Sequence, residues 1–166
     1  MDHLWTPWRS TYMKEKRENS KCIFCAAVQA SEDESNLVVY RARHSFVILN
    51  RYPYTSGHLM IAPYKHISRL AQAEESAAEE MMRLMRRAEQ VLELVYQPDG
   101  LNLGMNLGEA AGAGIEQHIH MHVLPRWKGD ANFMTPIGNT RIIPEALEET
   151  YSKLRGGFDQ DEPAER

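Results

Sequence analysis

Gln117-His118-Ile119-His120-Met121-His122-Val123-Leu124-Pro125-Arg126 places three imidazoles at every second position and ends at a proline. In an extended chain successive side chains point to opposite faces, so His118, His120 and His122 are expected on one face and Ile119, Met121 and Val123 on the other. The apolar face can enter a core. Pro125 lacks a backbone donor and is expected to close the strand or to sit at an edge. A half-buried strand needs only one apolar face and leaves the other open to Thr, Ser or Lys. Three histidines in register therefore point to chemistry or to metal, since imidazole serves near neutral pH as base, nucleophile or ligand.

Working outward, Leu101, Leu103 and Met105 alternate with Asn102, Gly104 and Asn106, which predicts a strand, and a Gly/Ala-rich loop runs from Gly108 to Gly114. Small residues let an anion approach the backbone, and successive N–H groups in such loops can hold a phosphate. Further upstream, Met81, Leu84 or Met85, Ala88, Val91 or Leu92, and Val95 form one stripe with helical spacing. A helix is predicted from Ser76, with Ser76 and Glu79 as a capping box, Arg83, Arg86 and Arg87 on the outer face, and Pro98-Asp99-Gly100 as its stop. Leu37–Tyr40, Ser45–Leu49 and His58–Pro63 are β-rich runs, the last two joined by the turn-rich 50–57. Residues 22–30 suit a short helix. A final short helix is expected from Ile143-Pro144-Glu145 to Leu154, with Pro144 in its first turn. About five strands with one long helix after the third predict an α+β domain built on an antiparallel sheet, with shorter helices beside the long one.

The 166 residues, 43% of them hydrophobic, suffice for one domain with a core. Residues 1–20, with Trp5, Trp8 and Tyr12 among basic residues, read as an arm, 21–155 as the domain and 156–166 as a disordered acidic tail. A net charge of −4, from 19 basic and 23 acidic residues, argues against a nonspecific nucleic-acid binder. A small anionic ligand remains compatible. No apolar run approaches the roughly 20 residues that span a bilayer, and the start of the chain has no basic or apolar leader pattern, so a cytoplasmic protein with no membrane partner is expected. Cys22 and Cys25 form Cys-Ile-Phe-Cys, a spacing that suits metal or redox use rather than a structural disulfide in a reducing compartment. Two thiols supply half of a tetrahedral zinc site, and the alternative is a pair of reduced, metal-free cysteines.

His118-x-His120-x-His122-Val123-Leu124-Pro125-Arg126 resembles the signature of the histidine triad (HIT) superfamily of nucleotidyl hydrolases and transferases. The likeness extends through Gly100-Leu101-Asn102-Leu103-Gly104-Met105-Asn106 and Gly108-Glu109-Ala110-Ala111-Gly112, and covers most of residues 21–155. Gly129-Asp130-Ala131-Asn132-Phe133-Met134 and Ile143-Pro144-Glu145 resemble the branch that holds mycobacterial diadenosine tetraphosphate phosphorylase, with fragile histidine triad proteins close by. The resemblance implies a HIT-like nucleotide-binding catalytic domain in which His120 is the nucleophile and His122 contacts the phosphoryl or bridging oxygen. It further implies that Asn106 and the amides of Ala113 and Gly114 bind phosphate, that Asn50 meets the ribose, and that His58 supports the triad from a neighbouring strand. In zinc-containing relatives the ligands are two such cysteines, a histidine after a Pro-x-Lys turn and the first triad histidine, which correspond here to Cys22, Cys25, His66 and His118. One departure stands out. Many relatives carry Ser or Thr three residues before the first histidine, where this chain has Ile115. The phosphorylase branch has a serine beside that position, where this chain has Gly114.

These positions imply an enzyme cleaving adenosine nucleotides at the α-phosphate, with dinucleoside polyphosphates as the expected substrates. Water as acceptor gives hydrolysis and orthophosphate gives phosphorolysis, and the sequence leaves the two open. The expected cofactor is a structural Zn2+, with Mg2+ entering on the nucleotide, and relatives imply a homodimer. Two readings from other classes are a nucleotide-binding regulatory module without turnover and a protein whose histidines serve metal alone.

Overall fold

A computed structural model describes residues 22–30, 32–130 and 145–160. The expected arm at 1–20, the 131–144 segment and the last six residues lie outside these. The elements run α1 (Ile23–Gln29), β1 (Val38–Arg41), β2 (Ser45–Leu49), β3 (Leu59–Pro63), α2 (Glu75–Tyr96), β4 (Gly100–Met105), β5 (Met121–Arg126) and α3 (Leu147–Gln160). The strands form one antiparallel sheet in the order β1-β2-β3-β5-β4. The α+β expectation holds.

β2 and β3 are buried along their whole length, because both sheet faces are covered there. Directly paired residues share a face. Ile48, Met60, His122 and Gly104 therefore line one face, and Leu49, Leu59, Val123 and Leu103 the other. The second face carries α2, whose stripe of Met81, Leu84, Met85, Ala88, Val91 and Leu92 is buried. Each such side chain contributes roughly 1.5–3 kcal/mol relative to exposure. Gly57, at φ +77°, lies where α2 meets the sheet. A Cβ there would come within 3.0–3.2 Å of Tyr96, Leu92 and Pro125.

Several expectations are corrected. The triad strand begins at Met121, not at Gln117. β3 pairs with β5 only from Ile61↔Met121 to Leu59↔Val123, and Ile119 donates instead to the carbonyl of Ile67 at 2.8 Å. Pro125, by contrast, falls at the edge as expected, one residue before β5 ends at Arg126. It pairs with Leu101 of β4, beyond the last β3 pair, so its missing donor costs no ladder bond to β3. The α2 cap is Glu74, with no side-chain cap bond, and Ser76 lies exposed inside the first turn. Glu79 pairs with Arg83 at 3.9 Å instead of closing a box. Gln97 ends the helix in the left-handed region at φ 45°, just before Pro98.

Arg87 is not on an outer face. Its guanidinium lies 4.3 Å from the Tyr40 ring centre and 5.3 Å from that of Phe158, and it donates to the Phe158 carbonyl at 2.6 Å. The last helix is longer than expected and starts later. It continues through Gly156 and Gly157 to Gln160, where composition suggests a tail, because Phe158 is fully buried and stacks on Tyr40 at 5.5 Å. Tyr151 and Arg155 tie the same helix to the Val38 and Val39 carbonyls.

Candidate active site

His120 precedes β5 and is 4% exposed. Its Nδ1 lies 2.9 Å from the main-chain oxygen of His118. A carbonyl can only accept, so Nδ1 carries the proton and Nε2 keeps the lone pair. Burial lowers the pKa of His120 below the usual 6.5, against the raising effect of that hydrogen bond. The ring is therefore neutral near pH 7 and presents a nucleophilic nitrogen.

His122, within β5, has its ring centre 4.8 Å from that of His120. Burial first, and then the neighbouring His120, push its pKa down to about 4. Its Nδ1 is 2.9 Å from Nε2 of His58. His58 is fully buried, and its Nδ1 accepts from the Tyr54 amide at 3.2 Å. The only proton of neutral His58 is thus on Nε2 and is donated to His122. The proton of His122 is consequently on its Nε2. Gly104 faces His122 across the β4–β5 pair, and a Cβ at Gly104 would meet nothing within 4 Å. The floor beside His122 is open.

His118 turns away from the other two. Its ring is fully buried, with Nε2 2.9 Å from the Pro63 carbonyl and Nδ1 3.4 Å from Cys22 Sγ and 3.7 Å from Cys25 Sγ. His66 Nδ1 is 3.2 Å from Cys25 Sγ. One ligand atom from each of Cys22, Cys25, His66 and His118 lies within 4.8 Å of every other. Tetrahedral zinc with bonds of about 2.3 Å to sulfur and 2.0–2.1 Å to nitrogen sets S···N separations near 3.6 Å. The observed spacings fit. The Nε2–H of His118 occupies the Pro63 carbonyl, so its Nδ1 lone pair faces the thiols, as a neutral imidazole ligand requires. Burial and the adjacent Cys22 raise the Cys25 pKa, a cost that a bound cation would offset.

The remaining expected residues are less uniformly placed. Asn50 is half-buried, with Nδ2 3.3 Å from His58 Nδ1 and Oδ1 accepting the Tyr52 amide at 2.9 Å. It braces the turn and His58 together. Asn106 follows directly on β4, beside the loop that carries Gly108 at φ 88° and Gly112 at φ 88°. The Ala113 amide donates to the Gly108 carbonyl at 3.3 Å inside that loop.

Sequence reasoning missed three contributors. Phe24, between the two cysteines, is fully buried with its ring centre 5.1 Å from His118 and 4.9 Å from His120, so it packs on both. Glu80 is buried on α2 and accepts the Arg43 and His44 amides at 3.2 and 2.7 Å, holding the β1–β2 turn. Tyr54 lies against His58 and His122 with ring centres 4.9 and 6.5 Å away. The signal for Tyr54 is Tyr-Pro-Tyr in a turn, where aromatics have no core to fill.

The fold, the histidine cluster and the loop beside it define a histidine triad protein. Residues 31–129 match the HIT domain family, to which the chain belongs. It is 40% identical over 161 residues to "AP-4-A phosphorylase" of Mycobacterium tuberculosis (strain CDC 1551 / Oshkosh), covering 93% of this chain and 83% of that protein. It is 31% identical over 93 residues to the asymmetrical bis(5'-nucleosyl)-tetraphosphatase of Schizosaccharomyces pombe, covering 56% of this chain and 50% of that one. The crystal structure of a Zn-bound histidine triad family protein from Mycobacterium smegmatis matches with a TM-score of 0.67 at 28% identity, over 84% of this chain and 94% of that one.

Proposed function

We propose that this protein is an enzyme that cleaves dinucleoside polyphosphates at the α-phosphate through a nucleotidyl-histidine intermediate on His120. The observation that carries the reading is the tautomer pair: His120 presents a lone pair on Nε2 while His122, 4.8 Å away ring to ring, keeps its proton on Nε2. A module that only binds nucleotide has no need of a buried, neutral nucleophile. Similarity to a phosphorylase and to a tetraphosphatase supports the substrate class.

In the first step the His120 Nε2 lone pair forms a bond to the α-phosphorus and the bond to the bridging oxygen breaks. The polyphosphate departs as an anion, and His122 Nε2–H hydrogen-bonds to its leaving oxygen as charge develops there. In the second step water or orthophosphate bonds to phosphorus, the bond to His120 breaks, and any proton of the acceptor passes to solvent, giving a nucleoside mono- or diphosphate. Asn106 and the amides of Ala113 and Gly114 are assigned to the phosphate and Asn50 to the ribose. Mg2+ enters with the nucleotide.

Zinc held by Cys22, Cys25, His66 and His118 would be structural, with no open position for substrate. It would tie α1 to the segment leading into β5. We assign the protein to the cytoplasm as a homodimer, with neither nucleic acid nor membrane as partner. Support comes from the mild net charge and the half-exposed Met82, Leu94 and Leu103 on α2 and β4. Among the described residues no helix is long and apolar enough to cross a membrane.

The test is incubation of purified protein with diadenosine tetraphosphate, with and without orthophosphate, and identification of the products. AMP with ATP indicates hydrolysis; ADP with ATP, dependent on orthophosphate, indicates phosphorolysis. Acid quench with radiolabelled substrate should trap nucleotide on protein in the wild type and none in His120→Gly. A His120→Gly protein with near-wild-type rate overturns the covalent mechanism.

A further inference from the structure

We propose that Phe24 is the positioning residue for the nucleophile, its ring fixing the angle at which the His120 imidazole meets the α-phosphorus. The inference rests on the function just proposed and adds to that site a residue outside the histidines.

The bond from Nδ1 of His120 to the His118 carbonyl, 2.9 Å long, sets the tautomer. A single hydrogen bond fixes one atom of a ring and leaves its plane free to turn, so Nε2 needs a further contact to be aimed. Phe24 supplies it. Its ring centre lies 4.9 Å from that of His120 with 40° between the planes, inside the roughly 4.5–7 Å at which aromatic pairs attract. The other ring neighbour of His120 within the triad is His122, at 4.8 Å and 76°.

Phe24 can act as a wall because it is itself held. It is fully buried and stands T-shaped on Phe46 of β2 at 6.4 Å. Phe46, also fully buried, stacks at 5.5 Å and 17° on Tyr64, whose hydroxyl donates to the Ala42 carbonyl at 3.0 Å. The row Tyr64-Phe46-Phe24-His120 thus runs from a main-chain hydrogen bond to the nucleophile through packed rings. A buried ring in such a row has little room to yield, since interiors hold no spare volume. Phe24 also touches His118, at 5.1 Å, and lies in the chain between Cys22 and Cys25. The His118 carbonyl and the Phe24 ring therefore both belong to the cysteine–histidine cluster, and the nucleophile is aimed from that end of the site. Leucine at position 24 would keep the burial and lose the flat surface. The imidazole would then turn about its hydrogen bond and reach attack geometry only part of the time, which slows the chemical step and leaves substrate binding alone.

The experiment compares wild type, Phe24→Leu and Phe158→Leu, the last removing a fully buried ring that stacks on Tyr40 instead. Zinc content, Tm, kcat and KM with diadenosine tetraphosphate, and the single-turnover rate constant of adduct formation are measured on each. Proton–nitrogen NMR of the histidine rings reads the His120 Nδ1–H directly. We expect Phe24→Leu to keep its zinc and its KM, to lose on the order of tenfold in kcat and in the single-turnover rate constant, and to broaden the His120 signal. Phe158→Leu should lower Tm with rate constant and signal unchanged. If Phe24→Leu fails to fold, Phe24→Met, an unbranched side chain that also lacks the ring, carries the same comparison. A purely structural Phe24 would reduce the single-turnover amplitude or the zinc content and leave the rate constant of the folded fraction alone, and that result overturns the assignment. The NMR arm needs no turnover. If the wild type cleaves nothing while its His120 signal is sharp and that of Phe24→Leu is broadened, the enzymatic reading fails and the positioning of His120 by Phe24 stands.

Discussion

Nε2 of the fully buried His58 lies 2.9 Å from Nδ1 of His122, and the Tyr54 amide on the other side of His58 leaves only one direction for the proton between them. A main-chain N–H on β3's leading turn thereby sets which nitrogen of a β5 histidine carries hydrogen. Without His58 the His122 ring can take either tautomer and can rotate.

His58→Ala is expected to lower kcat on the order of 10- to 100-fold with a smaller change in KM. That is less than the 10²–10⁴-fold loss typical of removing a catalytic group itself, because His122 remains but is no longer oriented. Steady-state kinetics beside a thermal melt checks this. A rate that falls only in proportion to folded protein would reduce His58 to a packing residue.

The metal prediction follows from the other hydrogen bond along the triad. Purified protein should carry about one zinc per chain. Cys22→Ser and His66→Ala should each lose it, and His120→Ala should keep it. Because binding to a site formed only on folding adds to folding energy, chelation should lower Tm strongly. Activity should fall with it indirectly, since the His118 carbonyl that orients His120 belongs to a proposed ligand. Elemental analysis decides the point: zinc retained in both Cys22→Ser and His66→Ala would show a different ligand set.

The pH dependence has a defined sign. Burial holds His120 and His122 below the ordinary 6.5, His122 to about 4. Between those values the unfolded chain binds protons that the folded protein refuses, so stability is fully present above pH 6.5 and is lost as pH falls through about 4. For His122 the displacement amounts to on the order of 2–3 kcal/mol, allowing for its partial exposure. The acid limb of kcat/KM, which reports neutral His120, should likewise lie below pH 6.5. Urea titrations at several pH values and a pH–rate profile measure both, and a limb at or above 6.5 would contradict a buried, neutral nucleophile.

Much of this fold is legible in the sequence, and the reasons differ by element. Ser45–Leu49 was found to the residue because a run of β-formers between polar turns leaves little choice of register. The α2 stripe was legible for the same kind of reason. The triad was legible as residues but not as geometry. Alternation in sequence implies one shared face only while the strand continues, and β5 starts after His120, its pairing with β3 stopping at Ile61↔Met121. His118 then turns to thiols 96 and 93 positions away in the chain, a distance over which local pattern carries no information. Arg87 and Phe158 mislead for a similar reason. A cation on a helix and an aromatic in an acidic segment look solvent-facing until Tyr40 is placed beneath them both.

The paired glycines of α3 supply the last prediction, because the same substitution should act with opposite sign at adjacent positions. A Cβ at Gly156 meets nothing within 4 Å, whereas one at Gly157 comes 2.7 Å from Val91 Cγ1 and 3.2 Å from Val95 Cγ2 on α2. Both positions are helical, so alanine at either gains roughly 0.5–1 kcal/mol from reduced backbone freedom in the unfolded chain. At Gly156 that gain is the whole effect, and Gly156→Ala should stabilise by about that amount. At Gly157 the added methyl forces α3 away from α2, an overpacking cost of typically 1–3 kcal/mol, so the net should be destabilising. Val91 is 1% exposed and β-branched, which leaves it little freedom to yield. Denaturant midpoints of the two variants measure the difference. Equal midpoints would mean that α3 does not seat on α2 at Gly157, and with it the burial of Phe158 and Leu154 would have to be abandoned.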